Sequence, residues 1–286
     1  MKKIMTISAV IISFLLVSQA VFAGEVEVTA KAFTKEVKAD KSIVVIDANT
    51  AENYAKSHVI GAVNVPHKEL YKDGEIEGLI KSTEELSAYF GKKGISNTSK
   101  IVIYDDGSNK YSSRVYWVLK YLGADNVRLL HKDMDVWKVA RVPITRNTSS
   151  VKATTFTAKV NGSISVQASD VKACSGACVI VDSRAANEFD GTSETPVSVG
   201  HIKGAINVNY KTFVDDKGAF LPADQLKAAA EKNGLTSDKT IILYCVTSVR
   251  AAVTYVALAD ILGYPNVKVY DGAYNEWKAQ GNPMEK

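Results

Sequence analysis

The stretch Ile241-Ile-Leu-Tyr-Cys-Val-Thr-Ser-Val-Arg250 decides the fold, because an uninterrupted apolar run ends abruptly at a cysteine and a polar turn. Similar apolar runs cover residues 43–46, 101–104 and 179–181. None of these runs alternates apolar with polar side chains, which is typical of strands buried on both faces. The sequence therefore predicts buried, mainly parallel strands.

Helical patterns lie between these runs. After Arg250, apolar residues recur at helical spacing at Val253, Val256, Ala257 and Ile261, and Gly263 stands where a helix would end. Strands that alternate with helices predict an α/β fold, in which a mainly parallel sheet carries helices on both faces. Ligands of such sheets gather at the carboxyl ends of the strands, where Cys245 stands.

The chain also repeats itself. Residues 101–105 (Ile-Val-Ile-Tyr-Asp) align with residues 241–245 (Ile-Ile-Leu-Tyr-Cys), and Trp137-Lys138 aligns with Trp277-Lys278 at the same offset along the chain. Upstream, residues 58–64 resemble residues 201–207. A repeat of this length indicates a duplicated domain. On this alignment Asp105 takes the place of Cys245, and Lys110 takes the place of Arg250.

We predict three segments from these patterns. Residues 1–23 form a signal peptide, residues 24–147 an N-terminal domain and residues 155–286 a C-terminal domain. The polar, Ser/Thr-rich stretch around residues 146–155 is the predicted linker. A chain of 286 residues is long enough for two domains of about 130 residues, each with its own core.

The first residues predict export. Lys2 and Lys3 precede an uncharged apolar run, and Ala-Val-Phe-Ala at residues 20–23 fits a signal-peptidase site. We expect a periplasmic or secreted protein with no membrane segment after cleavage, and the alternative is an uncleaved N-terminal anchor.

Composition excludes some partners. The 35 Lys and Arg residues against 31 Asp and Glu residues give a net charge of only +4, which is not typical of a nucleic-acid-binding protein. No metal site is predicted, because no histidine lies within zinc-ligand spacing of Cys174 and Cys178.

The three cysteines are an odd number for an exported chain. Cys174 and Cys178 are separated by the flexible Ser-Gly-Ala, so the two either form a disulfide or remain partly buried free thiols. Cys245 is left over in either case. The predicted helix N-terminus and Arg250 would both stabilise its thiolate, which is the form that acts as a nucleophile.

These motifs together resemble the tandem-domain rhodaneses, the thiosulfate and 3-mercaptopyruvate sulfurtransferases. The resemblance spans essentially the whole chain after the signal peptide. It rests on Asp182-Ser-Arg184 with Glu188-Phe189, on residues 200–207 (Gly-His-Ile-Lys-Gly-Ala-Ile-Asn), on the loop from Cys245 to Arg250, and on Tyr270-Asp-Gly272 before Trp277.

The resemblance implies a role for each of these residues. Cys245 would be the nucleophile and would carry the transferred sulfur as a persulfide. The loop residues Val246, Thr247, Ser248 and Val249 would cradle that sulfur, and Arg250 and Arg184 would bind an anionic donor. Asp182, Glu188 and His201 would support the site, and for Asp182 and His201 structural roles are favoured. The first domain, with Asp105 in place of the cysteine, would be inactive, and the site would open toward the cleft between the domains.

The implied reaction is the transfer of sulfane sulfur from thiosulfate, or alternatively 3-mercaptopyruvate, to a thiophilic acceptor such as cyanide or a thiol. It needs no cofactor. The family often has glycine where Val246 and Ser248 stand, so this loop must close with ordinary backbone angles or with strain.

Two rival interpretations remain at this point. One is a non-catalytic persulfide carrier or sulfur-binding module that serves a protein partner. The other is a cysteine phosphatase or arsenate reductase, although those enzymes place five residues between cysteine and arginine, and this chain has four.

Overall fold

The computed structural model describes residues 26–194 and 200–286. The predicted signal peptide, residues 1–23, lies outside the described residues. Within the described ranges, no helix is long and apolar enough to cross a membrane. The same residues contain no cluster of three or more His, Cys, Asp or Glu side chains that could hold a metal ion.

The described helices and strands of the first half follow one another in an alternating order. The helices are α1 (Ala30–Ala39), α2 (Ala51–Lys56), α3 (Thr83–Lys92), α4 (Lys110–Tyr121) and α5 (Met134–Ala140). The strands are β1 (Val44–Asp47), β2 (His58–Val59), β3 (Val63–Asn64), β4 (Ile101–Tyr104), β5 (Val127–Leu129) and β6 (Ile144–Thr145). A 3-10 turn at His67–Leu70 follows β3.

The second half repeats this order. Its described helices are α6 (Ala168–Ala173), α7 (Ala186–Phe189), α8 (Ala223–Lys232), α9 (Val249–Tyr255) and α10 (Ala273–Ala279). Its strands are β7 (Ser165–Val166), β8 (Cys178–Asp182), β9 (His201–Ile202), β10 (Ile206–Asn207), β11 (Thr240–Tyr244), β12 (Val267–Tyr270) and β13 (Met284–Glu285). A 3-10 turn at Tyr210–Phe213 follows β10.

Each half is built around a parallel sheet. The strand order is β3-β1-β4-β5 in the first sheet and β10-β8-β11-β12-β7 in the second. Tyr244 pairs with Asp182, so β11 and β8 end at the same edge of the second sheet. The predicted α/β fold with two tandem domains is confirmed, and the strands β4 and β11 are buried almost throughout.

The two domains share an apolar interface. Helix α4 of the first domain packs against α9 of the second, and the largest buried apolar cluster contains residues of both halves, among them Trp117 and Tyr255. Burial of this kind favours one fixed arrangement of the domains over free relative motion.

The chain between the domains is not a free linker. Thr154 donates its amide to the carbonyl of Gly91 at 2.9 Å, and Asn161 donates to Tyr121 at 2.7 Å. The Phe156 ring is buried and lies 5.6 Å from the Phe90 ring. The segment therefore packs on the first domain, and β7, the first described strand of the second half, begins at Ser165.

Between residues 101–138 and their counterparts 241–278, the constant offset of the repeat is interrupted at one place. Strands β4 and β11 end at the aligned residues Tyr104 and Tyr244, but five residues separate Tyr104 from the start of α4 at Lys110, and only four separate Tyr244 from the start of α9 at Val249. A π-helical turn at Val256–Ile261 then adds one residue to the second helix and restores the offset. The structural counterpart of Arg250 is therefore Tyr111, and the sequence alignment with Lys110 was wrong.

Candidate active site at Cys245

Cys245 lies directly after β11, at the carboxyl edge of the second sheet. It is the free cysteine of the described chain, and its surface is 1% exposed. Only Val246, Thr247 and Ser248 separate it from the first residue of α9. The thiol therefore stands beneath a tight turn at the start of a helix, where backbone amides and the helix dipole favour negative charge.

Two neighbouring elements hold this turn. The first amides of α10 reach the loop, since Tyr274 donates to the carbonyl of Cys245 at 3.0 Å and Asn275 donates to that of Val246 at 3.4 Å. Ser248 has a φ of 58°, in the left-handed region, and its hydroxyl donates to the carbonyl of Tyr270 at 2.7 Å. That hydrogen bond stabilises a backbone conformation that costs a non-glycine residue about 1 kcal/mol or more. Of the two alternatives for the loop, the one with backbone strain is correct.

A cavity of about 470 Å³ opens above Cys245 between the two domains. Its lining residues from the first domain are His67, Lys110 and Tyr111. Those from the second domain are Ala185, Asn209, Tyr210, Lys211, Cys245, Val246, Thr247, Val249 and Arg250. Of the predicted loop residues, Val246, Thr247 and Val249 thus line the cavity, whereas Ser248 is fully buried and braces the turn.

Arg250 reaches the cavity from the first turn of α9, and Glu188 holds it there. Its two terminal nitrogens donate to the two carboxylate oxygens of Glu188, at 2.5 and 2.9 Å. Burial alone would lower the pKa of Arg250, but the hydrogen bonds of Glu188 and the negative charge of Cys245 together raise it. Burial would likewise raise the pKa of Glu188, but the hydrogen bonds and charge of Arg250, together with the amide of Ala185 and the charge of Arg184, lower it overall. Glu188 therefore orients a permanently charged guanidinium beside the thiol.

Arg184 does not reach the cavity, so its predicted role in donor binding is corrected. Its guanidinium is fully buried, donates to the Asp182 carboxylate at 2.6 to 2.9 Å, and donates to the carbonyl of Gly200 at 2.8 Å. The Tyr274 ring covers it at 4.3 Å. Arg184 and Asp182 thus form a structural ion pair at the end of β8, at the edge of the sheet beside the Cys245 loop.

His201 also lies away from the cavity. Its imidazole stacks on the Phe189 ring at 3.6 Å, and Nδ1 lies 3.0 Å from the carbonyl of Phe189. These contacts join the start of β9 to the end of α7.

The corresponding loop of the first domain is filled by its own carboxylate. Asp105 accepts hydrogen bonds from the backbone amides of Gly107, Asn109, Tyr111 and Ser112, at 2.9 to 3.2 Å. Burial raises the pKa of Asp105, and these hydrogen bonds offset part of that rise. The amides that would cradle a ligand are thus occupied within the protein.

Two cavity residues, His67 and Tyr210, were not predicted from the sequence. His67 stacks on Tyr111 at 4.6 Å, and burial, followed by the charge of Arg114, lowers the pKa of His67 to about 4. His67 is therefore neutral at pH 7. Tyr210 also lines the cavity, and as the first residue of its 3-10 turn it takes the position that His67 has in the first domain. The sequence contains one signal for these two cavity residues: each follows a short strand, β3 or β10, that recurs in both halves of the chain.

The remaining cysteines form a disulfide. The Cα atoms of Cys174 and Cys178 are 5.3 Å apart, and their sulfur atoms are bonded across the turn before β8. This decides between the two alternatives for this pair and leaves Cys245 as the free thiol.

The model of the rhodanese-like domain family matches residues 29–140 and 167–280, once in each half of the chain. The chain therefore belongs to the rhodanese family, as a protein with two rhodanese-like domains.

Several proteins of known name resemble it over most of its length. A "putative thiosulfate sulfurtransferase" of Haloferax volcanii is 33% identical over 254 residues, which cover 85% of this chain and 88% of that protein. "Sulfur carrier protein TtuD" of Thermus thermophilus is 31% identical and covers 82% of this chain and 87% of its own length. The crystal structure of the 3-mercaptopyruvate sulfurtransferase SseA of Escherichia coli has a TM-score of 0.78 at 27% identity, over 87% of this chain and 99% of that one.

Proposed function

We propose that this protein is a sulfurtransferase that moves sulfane sulfur from a small anionic donor, through a persulfide on Cys245, to a thiophilic acceptor. The observation that carries the proposal is the position of a single free thiol at a helix N-terminus, on the floor of a cavity between the domains. The names of the similar proteins, which include thiosulfate and 3-mercaptopyruvate sulfurtransferases and a sulfur carrier, support the same chemistry.

Thiosulfate is the donor that the charges of the cavity favour. Arg250, Lys110 and Lys211 line it, and neither lysine has an ion-pair partner among the described residues. Glu188 neutralises much of the charge of Arg250, so the two lysines supply the remaining positive charge. A dianion such as thiosulfate gains more from such a site than a monocarboxylate does. The donor 3-mercaptopyruvate is the alternative.

The proposed reaction is a double displacement with balanced steps. The Cys245 thiolate attacks the outer sulfur of thiosulfate, an S–S bond forms, and the bond between the two donor sulfurs breaks. Sulfite leaves with the electron pair of that bond, and Cys245 becomes a persulfide. Cyanide or a thiolate then attacks the outer sulfur, takes it as thiocyanate or a new persulfide, and returns the Cys245 thiolate.

During these steps the protein supplies charge and position rather than a proton. Arg250 lines the same cavity as Cys245, near the start of α9, so both would stabilise the negative charge that develops on the leaving sulfite. His67 is neutral, so it can accept or donate a hydrogen bond at the cavity wall without adding charge.

Phosphatase chemistry fits this site less well. Its loop has four residues between Cys245 and Arg250, and both terminal nitrogens of Arg250 are bonded to Glu188. A tetrahedral phosphoryl group would need these same donors.

A sulfur carrier uses the same persulfide but passes the sulfur to one protein partner. The likeness to a named sulfur carrier favours this second candidate, which differs from the first only in the acceptor.

We further propose that the protein is exported to the periplasm or beyond after cleavage near residue 23. The Cys174–Cys178 disulfide supports this, because disulfides persist in oxidising compartments.

Sulfur transfer by the purified chain tests the function. Wild type and Cys245→Ser are offered thiosulfate or 3-mercaptopyruvate with cyanide, and the Cys174→Ser/Cys178→Ser double variant is the matched cysteine control. We expect loss of transfer only in Cys245→Ser, together with loss of the mass increase of one sulfur atom seen after donor alone. If the wild-type protein loads sulfur but does not transfer it to cyanide or thiols, the protein is a carrier rather than an enzyme for these acceptors. Wild type that loads no sulfur from either donor would contradict both candidates.

A further inference from the structure

A buried arginine of the first domain is bonded to the second domain next to the Cys245 loop. Arg114 lies on α4 and is fully buried. One of its terminal nitrogens donates to Oδ1 of Asp271 at 2.5 Å and to the carbonyl of Gly78 at 2.8 Å. Asp271 belongs to the second domain and directly follows β12. The ion pair therefore joins the two domains.

Each of the two partners of Arg114 belongs to a segment that contacts the loop. A Cβ atom added to Gly78 would lie 2.8 Å from Cα of Thr247, so this backbone rests directly on the loop. On the other side, α10 begins two residues after Asp271, and its first amides bind the carbonyls of Cys245 and Val246. The loop is thus held between a first-domain segment and the start of α10.

Further hydrogen bonds join the same two segments. Oδ2 of Asp271 accepts the amide of Ile80 at 3.0 Å, and the Asn275 side chain donates to the carbonyl of Glu77 at 3.0 Å. Asp271 thereby binds both Arg114 and the Gly78 segment. Removal of either charged partner would leave the other buried and unpaired, which is strongly destabilising.

The rest of the guanidinium is buried among aromatic rings. Its Nε and second terminal nitrogen are buried and have no hydrogen-bond partner within the described ranges. The Trp117 and Tyr71 rings flank it at 5.0 and 5.7 Å. Burial would lower the pKa of Arg114, but the charges of Asp271, Tyr71 and Cys245 together raise it. Arg114 is therefore a buried cation within electrostatic reach of Cys245.

We propose that Arg114 is a positioning residue that the first domain contributes to the active site. Its ion pair with Asp271, which we call the clasp, holds the segments on both sides of the Cys245 loop in place, and its charge favours the anionic sulfur. This explains how a domain without its own cysteine takes part in the reaction. The proposal depends on the proposed function only where sulfur transfer is measured.

Other charged and titratable groups line the Cys245 cavity or bind the residues around the Cys245 loop. From the second domain these are Glu188, Tyr210, Lys211, Arg250 and Asp271, and from the first they are His67, Tyr71, Lys110 and Arg114. The test must therefore compare Arg114 variants in a background in which all the others are unchanged.

Alkylation of Cys245 by iodoacetamide, measured against pH, tests the clasp without any sulfur donor. Cys245 is the one free thiol with which the reagent can react, because the other two cysteines are bonded to each other. In Arg114→Met we expect the pH of half-maximal alkylation to rise by about one unit and sulfur loading from thiosulfate to slow about ten-fold. Arg114→Lys, which keeps the charge, should recover part of the loss. Asp271→Asn, which keeps the shape, should slow loading as well.

The matched control is Arg128→Met. Arg128 also forms a mostly buried ion pair, with Glu36, but both residues belong to the first domain and neither lines the Cys245 cavity. We expect a lower melting temperature in this control and an unchanged alkylation profile. If Arg114→Lys and Asp271→Asn change only the melting temperature, as the control does, the clasp is refuted. If the Arg114 variants change alkylation while wild type transfers no sulfur, the clasp stands and the proposed function fails.

Discussion

The loops that follow β4 and β11 occupy the same place in the two domains but hold different groups. In the first loop, the Asp105 carboxylate accepts hydrogen bonds from four backbone amides. In the second, Cys245 is followed by a turn one residue shorter, its carbonyl is held from α10, and a cavity of about 470 Å³ lies above it. The comparison teaches that the same anion-binding turn either holds an internal charge permanently or remains available for a ligand.

The shorter turn also changes which side chain faces the cavity. Because α9 begins one residue earlier than α4, Arg250 stands where Tyr111 stands in the first domain. The π-helical turn at Val256–Ile261 absorbs the difference, so the downstream packing keeps its repeat. π turns of this kind often accompany functional sites.

Exchange of the key residues between the loops should give the largest effect. In Cys245→Asp we expect sulfur transfer to fall by at least about 1,000-fold, because the nucleophile is gone and the new carboxylate would occupy the amides. The reciprocal Asp105→Cys should gain no persulfide, because its longer loop has Tyr111 in place of Arg250. Mass spectrometry after thiosulfate treatment measures both, and a persulfide at residue 105 would show that the cysteine alone is sufficient.

Replacement of Arg250 should have an intermediate effect. Arg250→Lys keeps the charge but cannot make the planar contact of two nitrogens with the two Glu188 oxygens that orients the guanidinium, so we expect kcat/KM for thiosulfate to fall by roughly 10- to 100-fold. Steady-state rates with cyanide as acceptor provide the measurement. Arg128→Lys, at an ion pair outside this cavity, is the control. Equal rates for Arg250→Lys and wild type would show that Arg250 contributes only charge.

The smallest expected effect concerns His67, at the position that Tyr210 takes in the second domain. Its folded-state pKa is lowered to about 4, so the unfolded chain binds more protons between about pH 6.5 and 4. Stability should therefore fall as pH falls through this window. In His67→Phe, which preserves stacking on Tyr111, the loss between pH 7 and 4.5 should be smaller by about 1–2 kcal/mol. Urea unfolding at both pH values measures the difference, and an equal loss in both proteins would contradict it.

Much of the architecture was predictable because the responsible signals are local. Apolar runs without alternation marked β1, β4, β8 and β11 to within one residue at each end, since strands buried on both faces leave that pattern. The position of Cys245 after such a run predicted the sheet edge at which the cavity lies.

Other features were not predictable, for physical reasons. Arg184 lies in the Asp182-Ser-Arg184 element, but a sequence does not tell whether a guanidinium points to the cavity or back to its own strand, and here it pairs with Asp182. The shift between α4 and α9 was hidden because a shorter loop and a π turn cancel over the length of the repeat. The packing of Phe156 on Phe90 was not predictable either, because it joins residues that are far apart in the chain.

The sequence by itself determined the duplicated α/β fold, the place of the nucleophile candidate and the substitution of Asp105 for a cysteine, because these depend on residue type and local spacing. Only the tertiary structure decided which charges surround Cys245. Arg114, Lys110 and His67 come from the other domain, far before the cysteine in the chain. Electrostatic and packing forces act through space, so the distance along the chain carries no information about them.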